Sequence, residues 1–199
     1  YRETIKGSST QRGRHKKQSG GHGQFGDVVV EIKPGSRGSG YVFNQKIHGG
    51  VVPKNYFGAV EDGIRDGLTK GPLGFPVVDV EATLLDGSYH AVDSSEIAFR
   101  TAGRLAVHQA LPECRPVLHE PVHTVTIHTP SDAMARITAL IPMRRGQSLG
   151  YEPREGWFGW DSIRAYIPEE EVHDLIIEIR SGTQGLGEAI ASHLAGAGA

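Results

Sequence analysis

The sequence predicts an α+β fold in two domains, residues 1–115 and 116–199. Three observations lead there. Strand-like and helix-like segments form two blocks. A proline-dense stretch, Leu111-Pro112-Glu113-Cys114-Arg115-Pro116, separates them, and prolines so placed favour an extended connection. The second block reads β-α-β-β-α, a ferredoxin-like unit short of its last strand.

In the first block, Tyr1-Arg2-Glu3-Thr4-Ile5 is strand-like, and the chain opens there as a piece of a longer protein would. Residues 7–14 are polar and turn-rich. Strands over 27–33 and 41–47 flank a Gly/Ser/Pro turn region. Pro53 opens a helix whose Tyr56, Val60, Ile64 and Leu68 recur every four residues. Residues 77–84 alternate as a half-buried strand, and a loop over 86–92 follows. Asp93-Ser94-Ser95-Glu96 has capping-box spacing, with Asp93 as N-cap. The helix to Ala110 sets Ile97, Ala98, Ala102, Leu105 and Ala106 on one side.

The second block starts with a strand over 117–128. Ser131 caps a helix bearing Met134, Ile137, Leu140 and Ile141, stopped near Pro142. Strands over 148–152 and 161–167 precede a helix begun by Pro168, with Glu169, Glu170 and Glu171 where the macrodipole favours anions. Val172, Leu175, Ile176 and Ile179 form its buried stripe, and Gly182 is its C-cap. Residues 187–196 read as helical or disordered, which leaves the closing strand unassigned.

Gly21-His22-Gly23-Gln24-Phe25-Gly26 satisfies G-x-G-x-x-G, but a dinucleotide loop needs a strand before it and a helix after it. Here a β-branched run follows, so the cofactor reading fails. The single cysteine, Cys114, excludes disulfide frameworks and cysteine-based zinc sites and fits a reducing, cytoplasmic setting. No apolar run approaches the roughly 18 residues of a membrane span. His119, His123 and His128 do not share one strand face, and Glu113 and Glu120 complete no known ligand spacing, so no metal site is expected. Asp79 and Asp93 make no convincing acid/base pair, and no catalytic residues are assigned.

The net charge of -2 hides an asymmetry. Residues 1–22 carry Arg2, Lys6, Arg12, Arg14, Lys16 and Lys17 against Glu3 alone. Such a segment either lies along a phosphate backbone, gaining affinity from counterion release, or is a solvated terminus; composition leaves both open. Two polar loops remain, Gln18-Ser19-Gly20-Gly21-His22-Gly23-Gln24 and Gly87-Ser88-Tyr89-His90. Their glycines allow close approach, and Phe25, Tyr89 and His90 suit stacking on unpaired bases.

In order and setting these segments resemble translation elongation factor G. The resemblance runs through Lys17-Gln18-Ser19-Gly20-Gly21-His22-Gly23-Gln24-Phe25-Gly26, Ile47-His48-Gly49-Gly50-Val51-Val52-Pro53-Lys54, Gly71-Pro72-Leu73-Gly74-Phe75-Pro76-Val77, Asp86-Gly87-Ser88-Tyr89-His90, Arg144-Arg145-Gly146 and Gly150-Tyr151-Glu152-Pro153-Arg154. It implies the family's fourth domain, of the ribosomal-protein-S5-like α+β type, followed by its ferredoxin-like fifth. It further implies a monomer that promotes tRNA–mRNA translocation on the ribosome. The tip loops, Gln18, Ser19, Gly20, Gly21 and His22 with Ser88, Tyr89 and His90, would meet the tRNA–mRNA duplex in the small-subunit decoding region. The fifth domain would face large-subunit RNA near the stalk base. GTP and Mg²⁺ belong to the family's first domain, outside this chain, so no cofactor is expected in it. A ribosome recycling or rescue paralogue and a free-standing RNA-binding module are the alternatives. His22, where the family commonly has arginine, Pro142 and the Trp157 connection are departures that suggest a paralogue.

Overall fold

The computed structural model describes residues 1–193. The chain divides into two compact units, Tyr1–His119 and Glu120–Ala199, both mixed α+β as predicted.

Unit 1 begins with β1 (Arg2–Ile5) and the long hairpin β2 (Ser9–Ser19) and β3 (His22–Pro34). Then come β4 (Tyr41–Gln45), α1 (Phe57–Leu68), β5 (Val80–Ser88), α2 (Glu96–Ala110) and β6 (Pro116–His119). The sheet order is β2-β3-β5-β4, antiparallel except for the β4/β5 pair, whose crossover is α1. Val28, Val30 and Ile32 of β3 and Val80, Ala82 and Leu84 of β5 alternate into one face. They are covered by Val60 and Ile64 of α1 and Phe99, Ala102 and Ala106 of α2.

Helix α2 lies unusually close to the sheet. A Cβ on Gly13 of β2 would stand 1.9 Å from the Ala102 carbonyl oxygen, and one on Gly26 of β3 would stand 2.3 Å from that of Ala98. Backbone therefore meets backbone at both points.

Several elements differ from the sequence reading. Residues 9–19, read as turn-rich and basic, form an eleven-residue strand. It is an edge strand on which, among the described residues, only Gly13 is buried, beneath α2, so it lacks the apolar alternation that marks strands. The strand expected over 77–84 starts at Val80, because Asp79 has φ 58° and breaks the run. It continues through Asp86-Gly87-Ser88, expected as loop, which pairs with β3 across a bulge. The proline-dense stretch is a 3-10 turn over Leu111–Cys114, ended by left-handed Arg115, rather than extended. The α2 N-cap is Ser95, whose extended backbone lets its Oγ accept from Ala98 N–H; Asp93 lies outside the helix. Ile97, expected on the buried side, is 72% exposed.

The strand expected over 117–128 is two strands broken around Pro121. β6 pairs with β1 inside unit 1, and β7 (Val122–Pro130) begins unit 2. Unit 2 continues with α3 (Met134–Met143), β8 (Gln147–Pro153), β9 (Trp160–Pro168), α4 (Glu169–Gly182) and β10 (Glu188–His193). Its sheet order, β10-β7-β9-β8, completes the ferredoxin-like plan. The tail read as helical or disordered is thus a strand as far as His193, paired residue by residue with β7. Positions 194–196 of that reading lie outside the described residues. The sequence disguised β10 because Ala189, Ala191 and Ser192 are poor strand formers, and here ladder pairing overrides propensity.

Ser131 makes no side-chain cap to α3, and the helix ends at Met143, one residue past Pro142, as expected. Gly182 is the last residue of α4; the left-handed residues beyond it are Gln184 and Gly185. Arg144 and Arg145, at the end of α3, tie it to α4 through Glu171, Asp174 and Glu178 and to Glu120.

Gly13→Val, which forces a side chain between β2 and the α2 backbone, should lower stability by on the order of 3 kcal/mol. A drop in the urea midpoint without a change in slope would register it.

Candidate nucleic-acid interface

The first tip loop is a tight turn. Ser19 pairs with His22, leaving Gly20 and Gly21 as the two turn residues at φ 63° and 107°. Two successive positive φ angles are among the conformations that two-residue hairpins favour, and glycine supplies them without strain. Gln18, Gly20, Gly21 and His22 are all exposed. The G-x-G-x-x-G pattern therefore runs from a hairpin turn into a strand.

The basic segment takes its order from β2. Because Gly13 faces α2, the alternating pleat puts Arg12, Arg14 and Lys16 on the opposite face, about 6–7 Å apart, and Lys17 on the α2 side. Arg14 and Lys16 are exposed, and the Arg14 guanidinium lies over the Phe25 ring at 5.6 Å. Arg12 is anchored instead. It pairs with Asp27, whose side chain is fully buried, and Ser88 Oγ donates to the same carboxylate. Burial opposes ionisation of Asp27. The hydrogen bonds from Arg12 and Ser88, with the charges of Arg12 and Arg14, outweigh it and hold the carboxyl below its ordinary range. One buried charge thus joins β2, β3 and β5 at the root of both loops.

The second loop, residues 89–95, folds against β3. Phe25 N–H donates to Asp93 O at 2.8 Å, and Ser94 Oγ donates to Phe25 O at 2.9 Å. His90 N–H donates to Ser94 Oγ at 2.9 Å. The His90 ring lies 6.2 Å from that of Phe25, and Tyr89 is exposed. A Cβ on Gly23 would stand 2.4 Å from Asp93 Cγ and would displace that carboxylate. Arg14, Phe25 and His90 are brought together. Gln18 to His22 project beyond them, with the turn starting three residues past Phe25, about 10 Å along the strand.

Asp27, Ser94 and Ser95 were not foreseen as parts of this site. Asp27 carried a signal, a charged residue opening a run of valines of which Val28 and Val30 are buried. The two serines carried none beyond their cap-like spacing.

The histidines disperse. His119 pairs with Arg2 in unit 1, His123 meets Glu169, and His128 Nδ1 is 2.8 Å from Ser162 Oγ. Among the described residues no three metal-ligating side chains come together. Cys114 is buried, and that burial pushes its thiol up from its ordinary value. No helix among the described residues is long and apolar enough to cross a membrane.

Two α+β units stand in tandem, the first with a basic hairpin and the second ferredoxin-like, which is the arrangement that the resemblance to elongation factor G implies. The family models agree: "Elongation factor G, domain IV" matches residues 1–115 and "Elongation factor G C-terminus" matches residues 117–193. The chain belongs to the elongation factor G family. It is 52% identical over 187 residues to an elongation factor G-like protein of Synechocystis sp., covering 94% of this chain and 28% of that protein. It also resembles a crystal structure of a Thermus thermophilus protein, with TM-score 0.82 and 38% identity, over 96% of this chain and 28% of that one. The chain thus spans somewhat more than a quarter of each relative.

Asp27→Asn should cost about 1–3 kcal/mol at neutral pH, leaving Arg12 without its carboxylate. Asp27 is held below its unfolded value of about 3.9. Its contribution is therefore complete above that pH and is lost as pH falls through the lowered folded value. Urea midpoints of wild type and variant should accordingly converge on acidification.

Proposed function

We propose that the chain is the ribosome-contacting C-terminal part of a cytoplasmic translational GTPase, acting as a monomer to promote tRNA–mRNA translocation. The carrying observation is the convergence of the Arg14–Phe25–His90 cluster with a projecting glycine turn and a cation-bearing edge strand at one end of unit 1. Cations on a strand offer contacts to phosphates, while Tyr89, Phe25 and the imidazole suit unstacked bases. In this reading Gln18, Ser19, Gly20, Gly21, His22, Ser88, Tyr89 and His90 approach the duplex in the decoding region, and unit 2 faces large-subunit RNA near the stalk base. GTP and Mg²⁺ act in the longer protein, away from these residues. The Synechocystis relative is named an elongation factor G-like protein, and the second reading is a paralogue acting in ribosome recycling or rescue.

In the longer protein, His90→Ala should slow single-turnover translocation while leaving ribosome-stimulated GTP hydrolysis near wild type. Equal loss of both activities would remove the role given to the loop. Reversing charge at Arg14 and Lys16 together should flatten the log–log salt dependence of RNA binding by roughly 0.7–0.9 per lost phosphate contact. A slope unchanged from wild type would mean that these cations only keep an edge strand soluble.

A further inference from the structure

The loop that carries His90 uses one of its ring nitrogens for itself. Val92 N–H and Asp93 N–H both point at His90 Nδ1, at 3.3 and 3.2 Å. A backbone N–H can only donate, so Nδ1 must accept, and the proton of the neutral ring then resides on Nε2. The His90 backbone is engaged as well: its N–H donates to Ser94 Oγ, and its carbonyl accepts from Ser94 N–H at 3.0 Å. Nε2 makes no hydrogen bond among the described residues, and the side chain is 56% exposed.

One group works against this arrangement. Asp93 Oδ2 lies 3.6 Å from Nδ1, beyond hydrogen-bond reach, and favours a proton there. Arg14, whose guanidinium lies over the Phe25 ring, is a further charged group of this cluster. Two aligned donors at the ring nitrogen outweigh one carboxylate outside bonding distance.

We propose that the 89–95 loop locks His90 in the Nε2–H tautomer, so that the exposed ring edge presents one hydrogen-bond donor and no acceptor. Its partner at this point is then an acceptor atom of RNA: a phosphate oxygen, a ribose oxygen or an acceptor on a base edge. The donor-to-acceptor contact rests on the RNA-facing reading of the loop. The tautomer itself does not.

The loop also predicts how substitutions divide. Asparagine places an oxygen near the position of Nδ1 and can keep the Val92 and Asp93 bonds, but it has nothing at the position of Nε2. His90→Asn should therefore preserve the loop while removing the outward donor.

Long-range ¹H–¹⁵N correlation spectra of the full 199-residue chain, in mildly alkaline buffer, decide the tautomer. The expected result is a protonated Nε2 and an unprotonated Nδ1, with the two accepted bonds biasing the ring about tenfold or more. The pattern should persist in Asp93→Asn, which removes the competing carboxylate. A proton on Nδ1, or averaging between the nitrogens, overturns the proposal whatever the protein does on ribosomes. Translocation by the longer protein tests the donor. His90→Asn should fall to the rate of His90→Ala while its Val92 and Asp93 amide shifts stay near wild type. If His90→Asn moves at the wild-type rate although His90→Ala does not, the outward donor is unused and the proposal fails. If the ring is locked as described and both variants move at the wild-type rate, the RNA-facing reading of the loop fails, taking the donor contact with it.

Discussion

The backbone of α2 rests directly on the backbones of β2 and β3, and the candidate interface depends on that seating. Gly13 and Gly26 leave no side chain between helix and sheet. Gly63 does the same between α1 and α2, where a Cβ would stand 1.9 Å from Arg100 O. Because α2 enters the sheet immediately after residues 89–95, its close approach pins that loop beside Phe25. A helix held a side chain's width farther out would carry Asp93 and Ser94 away from their bonds to β3. The interface is thus set by the packing of a helix more than by the loops that form it.

Its electrostatics follow the same logic. A row of cations on a disordered tail would lose conformational freedom each time it met a phosphate. On β2 that ordering has already occurred in folding, and the pleat sends Arg12, Arg14 and Lys16 to one face. Asp27 costs desolvation, which Arg12 and Ser88 offset, and the outcome is one rigid junction of three strands. Arg12 is thereby a structural cation, and Arg14 and Lys16 are the exposed ones.

Unit 2 is organised differently. Its core is a layer of Val125, Ile127, Ile163, Ala165 and Ile167 under Ile137, Ile141, Leu175 and Ile179. The arginines at the end of α3 bridge to the acidic face of α4 over its surface. The β8–β9 connection exposes Phe158 fully and leaves Trp157 half-exposed, stacked beneath Arg154 and edge-on to Trp160.

What the sequence alone determined is the set of elements whose own residues pay for their order, in number, type and sequence. The stripes of α1 and α4, the valine run of β3 and the pairing residues of β9 all announce burial at the correct period. The glycines at 20 and 21 and the long shared segments announced the family and the tip loops. The tertiary structure alone decided the rest, because those features draw stability from a partner. β2 is a strand only because β3 pairs with it and α2 covers Gly13, and β10 only because β7 offers a free edge. β6 belongs with β1 at the other end of unit 1, a long-range pairing that no local pattern encodes. Ser95 takes the cap from Asp93 because Asp93 and Ser94 are already bonded to Phe25. The side on which His90 shows its proton was settled last, by two amides that reach the ring only once the loop has folded.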